Sequence, residues 1–257
     1  MFSTFLIVFR ESLEAFLIIG ILFAYLDKTN RKQLENALYV GAVLGVIASI
    51  VTAIAFNALS INFESFEQVF EGSIMLLAAV MIAYVIFWMN KADFKQKLEA
   101  KAQQNTTFLG LASIAFFSVY REGIETALFL QASIYQTGDA SLTSALLGII
   151  IAAGICYALF KTSSKLKLST LFKVTSVFLA LFSAGLFSHA IHEFSEVGLL
   201  PETPIVWNTN AILSEDSTIG LFAKSVFGYN ANPSVLELVS YILFLLAIIQ
   251  LIKMKKK

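Results

Sequence analysis

The sequence predicts an all-α integral membrane protein of seven transmembrane helices, and three observations carry that expectation. Of the 257 residues, 58% are hydrophobic and only 14% charged, and the mean hydropathy is +0.78, well outside the balance of a water-soluble domain. The apolar residues gather into seven runs, each near the roughly 20 residues a helix needs to cross a hydrocarbon core of about 30 Å. Short polar connections separate the runs. A backbone in lipid must satisfy its own hydrogen bonds, so unbroken runs of this length read as helices.

The runs fall at 3–26, 37–59, 66–89, 108–134, 142–160, 171–192 and 234–252. The first is rich in Phe, Leu and Ile but contains Arg10, Glu11 and Glu14. The second carries Gly41 and Gly45, small residues that let helices approach closely. The third opens after Glu64 on Glu67 and Glu71 and closes on Trp88 and Met89. The fourth repeats the charged motif of the first as Arg121, Glu122 and Glu125, and the fifth again holds small residues, Gly148 and Ala152, with the lone Cys156. One cysteine forms no intrachain disulfide and reads as a small core residue. The sixth closes on His189 and His192 and is followed by Glu193 and Glu196, the four spaced to share one helical stripe. All three prolines (Pro201, Pro204, Pro233) lie in the long connection 193–233, beside Trp207 and Tyr229, so no span carries a proline kink.

The basic residues set the orientation. Fifteen of the 18 Lys and Arg fall after spans one, three and seven or between spans five and six. Lys28, Arg31, Lys32, Lys91, Lys95, Lys97, Lys101, Lys161, Lys165, Lys167, Lys173, Lys253, Lys255, Lys256 and Lys257 make up that side. The positive-inside rule then places the N-terminus outside and the C-terminus inside. With no basic residues before the first run and no small-residue cleavage site, that run reads as a retained span rather than a signal peptide. The outer side is acidic, with Asp139, Glu202, Glu215, Asp216 and Glu237 among its residues, so a formal net charge of zero conceals a polarised molecule whose outer face attracts cations.

Orientation turns the repeat upside down. The pentapeptides begin at residues 10 and 121, an offset of 111, and their spans run in opposite directions. Spans 1–3 and 4–6 therefore read as an inverted 3+3 repeat with one extra helix, a transporter plan that places the substrate site near mid-depth between the halves. The division is repeat one at about 1–107, repeat two at about 108–192, the outer connection 193–233 and the seventh helix 234–252, all within one permease domain.

Ionisable residues inside spans are expensive and read as functional. On a helix, Glu11 lies near Glu14 and Glu122 near Glu125, while Arg10 and Arg121 can each pair with the glutamate four residues on. Four carboxylates and two guanidiniums leave a formal charge of −2, which in a low dielectric calls for protons or a bound cation. Carboxylate oxygens are hard ligands, suited to ferric or ferrous iron, manganese, calcium or magnesium. Neither motif contains Cys or His, which argues against copper(I) or a thiolate zinc site. Fastening helices by salt bridges is the structural alternative. No G-x-x-x-x-G-K-[ST] loop is present, so the chain is not expected to hydrolyse ATP.

The doubled Arg-Glu-x-x-Glu resembles the signature of the oxidase-dependent iron permeases, a family that includes fungal high-affinity ferric permeases and bacterial EfeU-type transporters. The likeness extends through Phe70-Glu71-Gly72, His192 to Pro201, Gly228-Tyr229-Asn230, Pro233-Ser234 and Glu237, with Ser12 standing where a glycine is more usual. The resemblance implies a non-enzymatic permease of the cell membrane that moves iron as substrate, with no permanently bound cofactor. It also implies an extracytoplasmic iron oxidase or iron-binding partner, and no nucleic acid. The glutamate ligands it implies are Glu11, Glu14, Glu122 and Glu125, with Arg10 and Arg121 as charge partners. Glu71, His189, His192, Glu193, Glu196 and Glu237 are candidates for an approach or accessory site. The alternatives are another divalent metal (Fe²⁺, Mn²⁺ or Pb²⁺), a proton-coupled carrier of an organic cation, and a membrane di-metal carboxylate oxidase. That last class usually uses Glu-x-x-His pairs, which neither motif has.

Overall fold

A computed structural model describes residues 2–61, 67–88, 100–104, 107–138, 141–161, 168–215 and 217–254. Glu64, Met89, Asp139, Asp216 and the basic residues Lys91, Lys95, Lys97, Lys165, Lys167, Lys255, Lys256 and Lys257 lie outside the described residues. All regular structure among those described is helical, apart from one isolated bridge between Ile205 and Ser234. The helices are α1 (Phe2–Lys28), α2 (Glu35–Ile61), α3 (Glu67–Trp88), α4 (Phe108–Thr137), α5 (Leu142–Lys161), α6 (Leu168–Glu196), α7 (Thr218–Phe227) and α8 (Val235–Met254). Each expected span coincides with one of the long helices. The short α7 was not expected.

Five of these helices are long and apolar enough to cross a membrane: α2, α3, α5, α6 and α8. The other two long ones, α1 and α4, are the motif helices, and each carries an arginine and two glutamates within its apolar length. Large apolar side chains dominate the outward faces of several of these helices. On α2, Val43, Ile47, Ile50 and Ile54 are exposed, as are Leu146 and Ile150 on α5 and Leu243 and Leu246 on α8. Such a continuous apolar surface is far larger than a soluble monomer tolerates. The protein is a multi-pass membrane protein.

The ends of the bundle follow from contacts. Ser3 meets Ser133, Gln68 meets Glu196, and His192 meets Glu237. The start of α1, the end of α4, the start of α3, the end of α6 and the start of α8 therefore share one end, together with the connection 197–234. We call this the loop end. At the opposite, lysine end, Phe23 of α1 packs on Tyr39 of α2, their ring centroids 4.9 Å apart.

Within the bundle α1 packs chiefly on α5, α2 on α4, and α3 on α6, while α1 and α4 also cross each other. Exchanging α1, α2 and α3 with α4, α5 and α6 maps this set of pairings onto itself. Small residues make the close crossings possible. A Cβ on Gly45 would sit 2.9 Å from the Phe116 carbonyl oxygen of α4, and one on Gly148 would sit 2.9 Å from the Phe9 nitrogen of α1. Gly148, Ala152 and Cys156 lie 111 residues beyond Ala37, Gly41 and Gly45, so both halves use the same small-residue rail. Cys156 is buried on that rail against Leu13, as a small core residue.

The loop end is closed by the connection and α7. Ser217 caps α7 by accepting from the Gly220 N–H at 3.0 Å, and Gly228 ends it at φ 67°, a conformation open to glycine. Phe222 of α7 packs on Phe2 of α1, centroids 5.2 Å apart. Tyr229 Oη bonds to Thr209 at 2.5 Å and donates to the Leu213 carbonyl at 2.9 Å, which makes it a structural tie within this cap. Glu215 accepts from the Ala231 N–H at 2.7 Å and pairs with Lys224 at 3.0 Å. Burial alone would raise its pKa, but the Ala231 N–H and the Lys224 ammonium outweigh burial and hold it below the usual carboxylate value.

Two outcomes are expected from this packing. Gly148→Ile should force α1 and α5 apart and lower stability by about 1–3 kcal/mol, the usual effect of overpacking, read as a lower thermal midpoint in detergent. A carboxyl whose folded pKa is depressed stabilises above its unfolded pKa, and that stability is lost as pH falls through the lower folded value. Limited proteolysis of the 197–233 connection should therefore accelerate as pH drops below about 4.5, the ordinary carboxylate value, and Glu215→Gln should blunt that pH dependence.

Candidate metal-binding site

The two motif turns meet where α1 crosses α4. On α1, Arg10 points both Nη groups at its own motif: Nη1 contacts Glu11 Oε1, and Nη2 lies 2.7 Å from Glu14 Oε1. On α4, Arg121 Nε donates to Glu125 Oε1 at 2.8 Å and lies 3.9 Å from Glu122 Oε1. The i to i+4 pairing expected for both motifs is present in both.

Across the helices, Glu11, Glu14 and Glu122 each offer a carboxylate oxygen within 4.8 Å of the others. Among the described residues this is the one such gathering of potential metal ligands. Glu125 stays with Arg121, close enough that its charge acts on Arg10, Glu11 and Glu14. Three of the four expected ligands thus converge, and the fourth stands beside them.

Burial makes the cluster costly. Arg10 and Glu11 are 1% exposed, Glu122 3% and Glu125 5%. Oε2 of Glu11, Glu122 and Glu125 is buried with no hydrogen-bond partner. A carboxylate oxygen in that condition forfeits its hydration without replacement. Bare carboxylate oxygens are donors of the kind that hard cations take. The two motifs are not equally enclosed, since the Arg121 side chain is 46% exposed against 1% for Arg10. Packing leaves no freedom at the second motif's glycine either: Ser49 of α2 fills the space a side chain on Gly123 would need, and its hydroxyl donates back to the Gly45 carbonyl at 2.8 Å.

The six candidate approach residues gather at the loop end as a rim rather than a ligand set. His192 Nδ1 lies 3.1 Å from Glu237 Oε1 and His192 Nε2 lies 3.2 Å from Glu196 Oε1. Glu237 also accepts from Asn230 at 2.6 Å and from the Ser234 hydroxyl at 2.9 Å, so it ties α8 to the connection. His189 and His192 stack at 5.6 Å, and His189 Nε2 is 3.6 Å from Glu193. Glu71 of α3 stands within electrostatic reach of Glu193. Sequence reasoning missed four buried polar residues on the motif helices, Ser3, Thr4, Ser133 and Gln136. Their signal was polarity in or just past an apolar run, one to three turns from each motif.

With this geometry in hand, the sequence comparisons decide the family. The Iron permease FTR1 family model matches residues 1–255. The chain belongs to the FTR1 iron permease family. Relatives include the ferrous iron permease EfeU of Yersinia pestis, 35% identical over 256 residues that cover 96% of this chain and 91% of the relative. The ferrous iron permease EfeU of Escherichia coli O6:H1 is 32% identical over 256 residues, covering 96% of this chain and 93% of the relative. No solved structure matches the chain. The family is one of transporters rather than enzymes.

The unequal burial of the arginines gives a testable contrast. Arg10→Met leaves the buried Glu11 and the partly buried Glu14 without their cation, a change of the kind that costs about 3–5 kcal/mol. Arg121→Met also strands a buried acid, Glu125, but removes one close contact rather than two, from a side open to solvent, and should cost less. Thermal unfolding of the two purified variants at one pH should rank them in that order.

Proposed function

We propose that this protein carries iron across the cell membrane through the carboxylate cluster at the α1–α4 crossing. The observation that carries the reading is the convergence of Glu11, Glu14 and Glu122 from two separate motifs, with buried oxygens left without hydrogen bonds. Family membership supplies iron as the cargo, since the relatives are named as iron permeases. Glu125 completes the ligand set as the ion binds, and Arg10 and Arg121 hold the carboxylates in place between ions.

Several finer features belong to this reading. The chain crosses the membrane seven times, with α1 and α4 as spans whose charges line the path. The self-mapping set of helix pairings and the repeated small-residue rail support an inverted 3+3 repeat with α8 added. The lysine end faces the cytoplasm, and the loop end, with its rim of Glu71, His189, His192, Glu193, Glu196 and Glu237, faces outward and gathers cations.

The hard oxygen donors suit Fe³⁺ delivered by a partner oxidase. A ferrous reading has two supports of its own. Two motifs of formal charge −2 are neutralised by Fe²⁺, whereas Fe³⁺ leaves +1, and the relatives are named ferrous iron permeases. Radioiron uptake decides between them: the ferric reading expects uptake from a ferric supply to persist with a ferrous-specific chelator present, and the ferrous reading expects uptake to require reductant.

The site itself is tested by Glu14→Gln and Glu125→Gln. Each should abolish radioiron uptake while the protein still reaches the membrane at normal abundance. Unimpaired uptake in both would falsify the site.

A further inference from the structure

Between the loop end and the glutamates, the motif helices carry polar side chains that no ion pair or cap explains. Ser3 Oγ of α1 and Ser133 Oγ of α4 lie 2.8 Å apart, 2% and 0% exposed, and fasten the two helices. Thr4, the next residue along α1, is 1% exposed, and Gln136, one turn beyond Ser133 on α4, is 3% exposed. Thr4 Oγ1 and Gln136 Oε1 are buried with no hydrogen-bond partner. Fastening two helices needs the serine pair alone. Two further buried oxygens without partners are unfavourable unless something binds them.

The repeat provides an internal control. At the 111-residue offset, Ser3 and Thr4 correspond to Ile114 and Ala115, and Ser133 and Gln136 correspond to Leu22 and Tyr25. Those four line or adjoin an apolar core at the lysine end, where Leu22 is 1% and Ala115 0% exposed. The halves share helix pairings and small-residue rails, but of the four lysine-end counterparts only Tyr25 carries a side-chain oxygen, and it is partly exposed rather than a buried oxygen without a partner. Symmetric packing therefore does not require them.

We infer that Thr4 and Gln136, with the Ser3–Ser133 pair, form a second cation site made of uncharged oxygens, which receives the ion before it descends to the glutamates. This rests on the permease reading above. Hydroxyl and amide-carbonyl oxygens are hard donors like carboxylates but carry no charge. A site built from them replaces part of the ion's hydration without the tight hold of an anionic cluster, as a conduction path requires. Thr4 precedes Glu11 by seven residues on one face of α1, about 10 Å at 1.5 Å per residue. Ile7 and Phe129, both 0% exposed, occupy the level between and separate the two sites in this state.

The test measures radioiron uptake by cells and iron binding by the purified protein for Thr4→Val, Thr4→Ser and Gln136→Leu. Thr4→Val and Gln136→Leu should each slow uptake about tenfold or more, the scale of one lost hydrogen-bond-strength contact to a charge. Iron bound at the glutamates should be unchanged, and Thr4→Ser, which keeps the oxygen, should transport like the unaltered protein. Uptake by both oxygen-deleted variants close to that of the unaltered protein overturns the second site, and so does equal loss in Thr4→Val and Thr4→Ser, which would indicate shape rather than oxygen. Gln136→Leu is read independently, so poor folding of Thr4→Val does not suspend the test. Absence of iron uptake by the unaltered protein would instead overturn the permease reading.

Discussion

The structure depends on keeping several like charges together where water is scarce. Glu11, Glu14 and Glu122 repel one another, and burial strengthens that repulsion because little solvent screens it. Arg10, itself fully buried, offsets part of the cost by contacting two of them at once. Arginine suits this role because its planar guanidinium donates in several directions and keeps its charge when desolvated. Neither motif is self-sufficient: the acids of α1 need the crossing by α4 to meet Glu122, and the unpartnered oxygens show that the protein's own groups do not satisfy the cluster completely.

Holding α1 and α4 at that crossing is the work of the other helices. The small-residue rails on α2 and α5 bring backbones into contact, so the motif helices are positioned by rigid main chain rather than by mobile side chains. Gly123 shows how directly this reaches the site, because Ser49 of α2 occupies the volume that any side chain there would claim. In lipid the apolar effect does not drive helices together, which makes such close van der Waals contact the main source of helix association.

The two ends of the bundle have different chemistry. At the lysine end the packing between α1, α2 and α4 is apolar, through Leu22, Leu26, Leu38 and Leu111. At the loop end, polar ties dominate: Glu237 joins α6, α8 and the connection through His192, Ser234 and Asn230. This helps explain why Glu237 and His192 sit among fixed partners, while Glu71 and Glu193 lie near each other with fewer ties.

Most of the architecture was legible in the residues. Seven apolar runs matched the long helices among the described residues, and five of those are long and apolar enough to cross a membrane, because a lipid-spanning helix needs about 20 apolar residues whatever the tertiary arrangement. The paired arginine and glutamate within each motif followed equally from helix geometry, which places residues four apart on one face. What only the tertiary structure decided was cooperation across helices: that three glutamates converge while Glu125 remains with Arg121, that Arg10 is enclosed and Arg121 half open, and that α7 covers the start of α1. Ser3, Thr4, Ser133 and Gln136 went unnoticed for the same reason. A lone hydroxyl or amide in an apolar span has no periodic signature, and whether its oxygen is satisfied depends on neighbours more than a hundred residues away, such as Ser133 for Ser3.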